Sequence, residues 1–245
     1  MVLSLLSFFP SGLLRRLILV LILPGLCLML NGCTLARKEA FTEQGWARAV
    51  EQTDPADFHK PNFEDGRYFA PWMAMADKSV LDVLIWKFFS TSDFTREEQE
   101  YLPRVIAHTA DRLRKTTGNF ILWIGHNTFL VRVNNVCFLT DPIFSKRALL
   151  PKRVTPPALT LKALNTLVTD LHIIVSHNHY DHLDTWSMEN LPPEARVFVP
   201  MGLEGYVKKM NKPHVRELNW WQSVDLGRGM RLVCLPAQHW SMRIN

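Results

Sequence analysis

Residues 177–182 read His-Asn-His-Tyr-Asp-His. Three imidazoles and one carboxylate within six positions are the donor types that suit zinc and similar divalent ions. The stretch before them, Leu171-His-Ile-Ile-Val-Ser176, is apolar and β-branched and predicts a buried strand. A loop leaving such a strand can fold over one point. His177 and His179 can then hold one ion while Asp181 and His182 turn to a second. A catalytic ion also needs an open coordination position for water.

The elements that position this loop follow from periodicity. Short apolar runs at 119–124, 128–133 and 136–140 predict strands, with turns at Gly125 and at Asn134-Asn135, a pair that tolerates positive φ. Helices at 160–169, 184–190 and 202–211 then alternate with strands at 171–176, 196–199, 214–218 and 230–236, an α/β pattern. Upstream, 79–90 and 106–115 predict helices, and Thr95-Arg-Glu-Glu98 has the pattern of a capping box. No repeat or low-complexity segment is visible.

The loop and its flanks, Ser176-His-Asn-His-Tyr-Asp-His-Leu-Asp184, resemble the metallo-β-lactamase superfamily, in the branch of N-acyl-phosphatidylethanolamine-hydrolysing phospholipase D. Other stretches carry the same resemblance: Asp65-Gly-Arg-Tyr-Phe-Ala-Pro-Trp72, Trp123-Ile-Gly-His-Asn-Thr-Phe129, Leu139-Thr-Asp-Pro-Ile-Phe144, Phe198-Val-Pro-Met-Gly-Leu203 and Pro236-Ala-Gln-His-Trp240. The resemblance implies an αββα sandwich with its metals at one edge, a metal-bearing sheet from about residue 119, and a hydrolase domain over 61–245. It implies zinc as cofactor, two ions per complete site, and hydrolysis of a phosphodiester in a membrane phospholipid. A lactonase or other hydrolase of the same fold is the alternative.

In that scheme His239 joins His177 and His179 on the first ion, and Asp181 and His182 serve the second ion and the chemistry. Asp141, in Thr-Asp-Pro, reads either as the orienter of a His ligand or as a turn cap. His126 reads as a donor close to the site or as a packed turn residue. Tyr180 lines the pocket or the core. Lys152 and Arg153, with Lys146 and Arg147, read as a loop that meets a phospholipid head group or is merely solvated. Cys137 and Cys234 fall in predicted strands as buried thiols.

Two features of the family are missing from this sequence: the bridging Asp of a Gly-Asp-Thr-Gly-like stretch and the last His ligand. The expectation is therefore a sandwich whose second half is largely absent and whose activity is impaired. A non-catalytic metal-binding lipoprotein is the competing outcome.

The N-terminus adds a location. Arg15 and Arg16 precede an apolar run over 17–30, short for a membrane span and of the length of a signal-peptide core. Leu30-Asn-Gly-Cys33 then resembles a bacterial lipobox, which makes Cys33 a lipidation site, 1–32 a signal peptide and 33–60 a tether. An uncleaved anchor is the other reading. Both put the protein at a membrane, exported to the periplasm or cell exterior. A net charge of +5 in 245 residues is too mild to argue for nucleic acid.

Overall fold

The computed structural model describes residues 43–72, 81, 85, 94–149, 152–237, 239 and 243. The expected signal peptide and Cys33, and most of the helix expected over 79–90, lie outside the described residues. The chain forms two compact units, Met1–Asp82 and Val83–Asn245.

In the first unit the segment read as a tether contains a helix, α1 (Glu43–Glu51), and a 3-10 turn, Pro55–His59. Ala47, Arg48 and Ala49 favour helix without any long apolar stripe, which is why periodicity did not mark it. Asp54 caps the 3-10 turn by accepting from the Ala56 amide at 2.9 Å. Strands β1 (Phe63–Glu64) and β2 (Arg67–Tyr68) pair across Asp65-Gly66, both at positive φ, as a tight hairpin requires.

In the second unit α2 (Arg96–Glu100) opens on the capping box, with Thr95 and Glu98 satisfying each other's backbone amides. It stops at Glu100, and α3 (Thr109–Lys115) starts anew beyond Pro103. The six-stranded sheet follows in order: β3 (Phe120–Gly125), β4 (Thr128–Val133), β5 (Val136–Thr140), β6 (Leu171–Ile174), β7 (Arg196–Pro200) and β8 (Val215–Leu218). β3, β4 and β5 run antiparallel, and β5 to β8 are parallel. Helices α4 (Leu161–Leu167), α5 (Thr185–Asn190) and α6 (Glu204–Lys208) make the parallel crossovers. The mixed sheet with its helices is an α/β architecture, consistent with the metallo-β-lactamase fold that the sequence resembles. A second hairpin, β9 (Ser223–Gly227) with β10 (Met230–Val233), follows. The β9 strand was not expected; Ser-Val-Asp-Leu-Gly alternates, but too briefly to stand out from its turn residues.

Register assigns the two faces of the sheet. Leu130, Leu139, Ile173 and Val197 are fully buried and form one cluster with Leu164 of α4, Met188 of α5 and Val207 of α6. Burying each such side chain contributes about 1.5–3 kcal/mol. The opposite face is sparser: Ile121 is 74% exposed and Trp123 46%. On that face His172 is only 1% exposed, its ring stacked 5.9 Å from that of Phe198 and tilted against that of Phe138 at 5.5 Å.

Candidate metal centre

Because β5 and β6 are parallel neighbours, their carboxyl ends lie side by side, where Thr140 pairs with Ile174. β4 runs the other way, so the β3–β4 turn arrives at the same edge. Loops leaving the carboxyl ends of strands are where an open α/β sheet collects its ligands. Here they bring together 126–127, Asp141 and 176–183.

The turn and the β5 end are fastened by two threonine hydroxyls, that of Thr128 buried and that of Thr140 half-buried. Thr128 Oγ1 donates to the Asp141 carbonyl at 2.7 Å and accepts from the Ile143 amide at 3.1 Å. Thr140 Oγ1 donates to the Asn127 carbonyl at 2.7 Å and accepts from the Phe129 amide at 3.0 Å. His126 sits at φ 53 in the turn so tied. The ligand loop closes on itself: the His182 and Leu183 amides both donate to the His179 carbonyl, at 3.1 and 2.9 Å. It ends on Asp184, which caps α5 through the Ser187 amide.

Asp141 is the post beneath this loop. It is buried, and its own amide donates to the Ile174 carbonyl at 2.9 Å. Its carboxylate accepts from the Ser176 amide and hydroxyl, both at 2.7 Å, and lies 2.9 Å from His182 Nδ1. The Ser176 hydroxyl spends its one hydrogen on Asp141, so its oxygen, 2.9 Å from His177 Nδ1, accepts from that ring. Both His177 and His182 therefore carry the hydrogen on Nδ1 and turn a lone pair outward at Nε2.

The outward atoms form two groups. His177, His179 and His239 bring ring nitrogens within 4.8 Å of one another. Within that group His177 Nε2 lies 2.8 Å from His179 Nδ1, and the His239 ring stands edge-on to His177 at 4.5 Å. His126, Asp181 and His182 form the other. There Asp181 Oδ2 lies 3.0 Å from His126 Nε2 and 3.7 Å from His182 Nε2. The two groups adjoin, with the His177 and His182 rings 4.0 Å apart.

Electrostatics suit cations. Burial, reinforced by the neighbouring His182, His179 and His239, pushes the His177 pKa down to about 4 and leaves the ring in its metal-binding, neutral form. Burial, then His239, lowers His179 likewise. Burial alone would lower His182 too, but the Asp141 hydrogen bond and charge, with Asp181, outweigh it and raise that pKa. At Asp181 burial is outweighed by a backbone hydrogen bond and by His182 and His126, and the carboxyl is held below its ordinary value. Three imidazoles in one group and two imidazoles with a carboxylate in the other are a zinc-like donor set. Asp141 beneath His182 is the carboxylate–histidine arrangement typical behind a metal ligand.

His126 supplies a donor that the sequence did not assign to the second group, which was left with Asp181 and His182 alone. The basic loop that carries Lys152 and Arg153 is different. Arg153 turns inward: Nη2 donates to the Ile143 carbonyl at 2.5 Å, and Nη1 lies 2.9 Å from where a Cβ on Gly125 would stand. The substrate-binding role expected of Arg153 gives way to that of a backbone strap. Lys152 is exposed and bridges back to Arg147. Tyr180 lies under Arg243, whose guanidinium carbon is 4.3 Å from the ring centroid. Arg243 itself was missed; a single Arg on an aperiodic segment gives no signal.

The pattern of the Beta-lactamase superfamily domain matches residues 137–245. Those residues, somewhat under half of the chain, are consistent with a metallo-β-lactamase-fold domain. The N-acyl-phosphatidylethanolamine-hydrolyzing phospholipase D 1 of Caenorhabditis elegans is 32% identical over 214 residues, which cover 78% of this chain and 59% of that protein. A metal-dependent hydrolase of Pyrobaculum aerophilum is 28% identical over 126 residues, 50% of this chain and 52% of that one. The chain thus spans between half and three-fifths of the length of these relatives. A solved structure of a possible metal-dependent hydrolase from Veillonella parvula aligns at TM-score 0.41 and 20% identity, covering 48% of this chain and 47% of that one. Both donor groups draw on the matched residues; His126 alone comes from the hairpin that precedes them.

Proposed function

We propose that this protein is a zinc-dependent hydrolase that cleaves a phosphodiester in a membrane phospholipid of the N-acyl-phosphatidylethanolamine type. One observation carries the reading: two three-residue donor groups share one sheet edge, with the His177 and His182 rings 4.0 Å apart. Zinc ions held by these groups would polarise a phosphoryl oxygen and acidify a water for in-line attack. The chain's own part is to aim and to accept. Asp141 and Ser176 hold the Nδ1 hydrogens of His182 and His177 and so fix both Nε2 lone pairs. Asp181, ionised at neutral pH, accepts within the second group, its Oδ2 3.0 Å from His126 Nε2.

The substrate class is supported by the similarity to the C. elegans phospholipase and by the flanking motifs. The apolar leader with Cys33 supports an exported protein anchored at the membrane that holds such a lipid. Among the described residues no helix is long and apolar enough to cross a membrane.

The test is hydrolysis by the zinc-loaded chain of vesicles containing an N-acyl-phosphatidylethanolamine, beside a simple lactone, each with and without chelator. Release of the N-acylethanolamine that chelation abolishes supports the reading. Turnover of the lactone alone would make it a lactonase. Bound zinc without turnover of either would make it a metal-binding protein without catalysis.

A further inference from the structure

His239 completes the first donor group from an unpromising place. It lies five residues beyond Cys234, whose backbone pairs with Trp221 and Gln222, and it belongs to no helix or strand. A ligand on such a segment must be ordered before it can bind, and that cost is subtracted from affinity for the ion. Something has to bring the segment to the loop.

Arg243 does so. Its Nη1 donates to the Leu183 carbonyl at 2.5 Å and to the Asn178 carbonyl at 3.4 Å, and Nη2 donates to Thr185 Oγ1 at 2.9 Å. The two carbonyls flank the ligands His179, Asp181 and His182, so one guanidinium spans the loop from end to end. Its flat face covers the Tyr180 ring at 4.3 Å and approaches Tyr206 of α6 at 5.2 Å. A planar fork that hydrogen-bonds at its edge and stacks on its face is chemistry that Lys cannot reproduce. Four residues of chain reach at most about 14 Å, so a docked Arg243 keeps His239 close to the loop.

We propose that Arg243 is a positioning residue: it docks the His239 segment onto the ligand loop and thereby completes the first metal group. The proposal rests on the reading that His177, His179 and His239 hold an ion.

The experiment is a competition titration of the full chain with Zn2+ against a chromophoric chelator. It compares wild type, Arg243→Ala, Arg243→Lys, His239→Ala and the double variant, with folding followed by circular dichroism. Arg243→Ala should weaken the first site by about 10–100-fold, the range for residues that orient metal ligands. Arg243→Lys should recover only part of that loss. In the double variant the loss should not exceed that of His239→Ala, because Arg243 acts through His239.

Wild-type affinity in Arg243→Ala, or losses that add in full, would overturn the proposal. So would full recovery by Lys. If Arg243→Ala fails to fold, Arg243→Lys and its pairing with His239→Ala decide by the same criteria. Unchanged affinity in His239→Ala would instead overturn the ligand reading itself.

Discussion

Asp141 Oδ2 stands 2.9 Å from His182 Nδ1, and the same carboxylate accepts both the amide and the hydroxyl of Ser176. One buried side chain at the end of β5 therefore sets the tautomers of two candidate ligands in the next loop. Asp141→Asn keeps the shape and removes the charge. Zinc affinity should fall about 10–100-fold. The His182 pKa, now raised chiefly against burial by Asp141, should drop in the metal-free variant. Imidazole NMR titration checks the second effect; an unmoved His182 would separate it from Asp141.

The opposite shifts of His177 and His182 order the loss of metal with acid. A proton competes for His182 at a pH above its ordinary 6.5, whereas His177 stays neutral down to about 4. On lowering pH from 8 to 5, the ion at His126, Asp181 and His182 should leave first. Cobalt substitution followed by visible absorption would show two steps. Simultaneous loss of both ions would contradict it.

His172 gives the fold its own pH dependence. It is buried between Phe138 and Phe198, and its pKa is lowered, first by burial and then by Arg196. As pH falls through about 6.5 the unfolded chain binds a proton that the folded chain refuses, so stability declines below that pH and is unaffected above it. A single such proton contributes a slope of at most about 1.4 kcal/mol per pH unit. Urea melts of metal-free wild type and His172→Phe at pH 7.5 and 5.5 should show the smaller acid loss in the variant.

Gly125 is required by its backbone conformation, and a side chain there would also displace the end of Arg153. Its φ is +140, and an added Cβ would come within 2.9 Å of Arg153 Nη1. Gly125→Ala should destabilise the protein by about 1–3 kcal/mol and loosen the turn that carries His126. Thermal melts check the first effect and zinc affinity the second.

Much of the second unit was legible because its signals are local. Alternation and β-branching marked β3 to β7, paired Asn134-Asn135 marked a hairpin, and Thr95 with Glu98 marked a helix start. The ligand loop was legible because all its donors lie within six residues. What escaped depends on tertiary contact. His126 meets Asp181 across 55 positions of sequence, and it takes the antiparallel pairing of β4 with β5 and the parallel pairing of β5 with β6 to make them neighbours. Arg153 and Lys152 are adjacent and chemically alike, yet packing against Gly125 and Ile143 turns one inward while the other stays in solvent. Helix α1 escaped because its nine residues, Gly45 among them, are too few for periodicity to stand out.

The most direct test of the metal centre is zinc content by mass spectrometry of the purified chain and of His179→Ala, after dialysis against metal-free buffer. Wild type should retain zinc, and His179→Ala should lose the ion shared by His177 and His239, since two remaining imidazoles hold zinc poorly. Equal zinc content in the two proteins would contradict the assignment of that group.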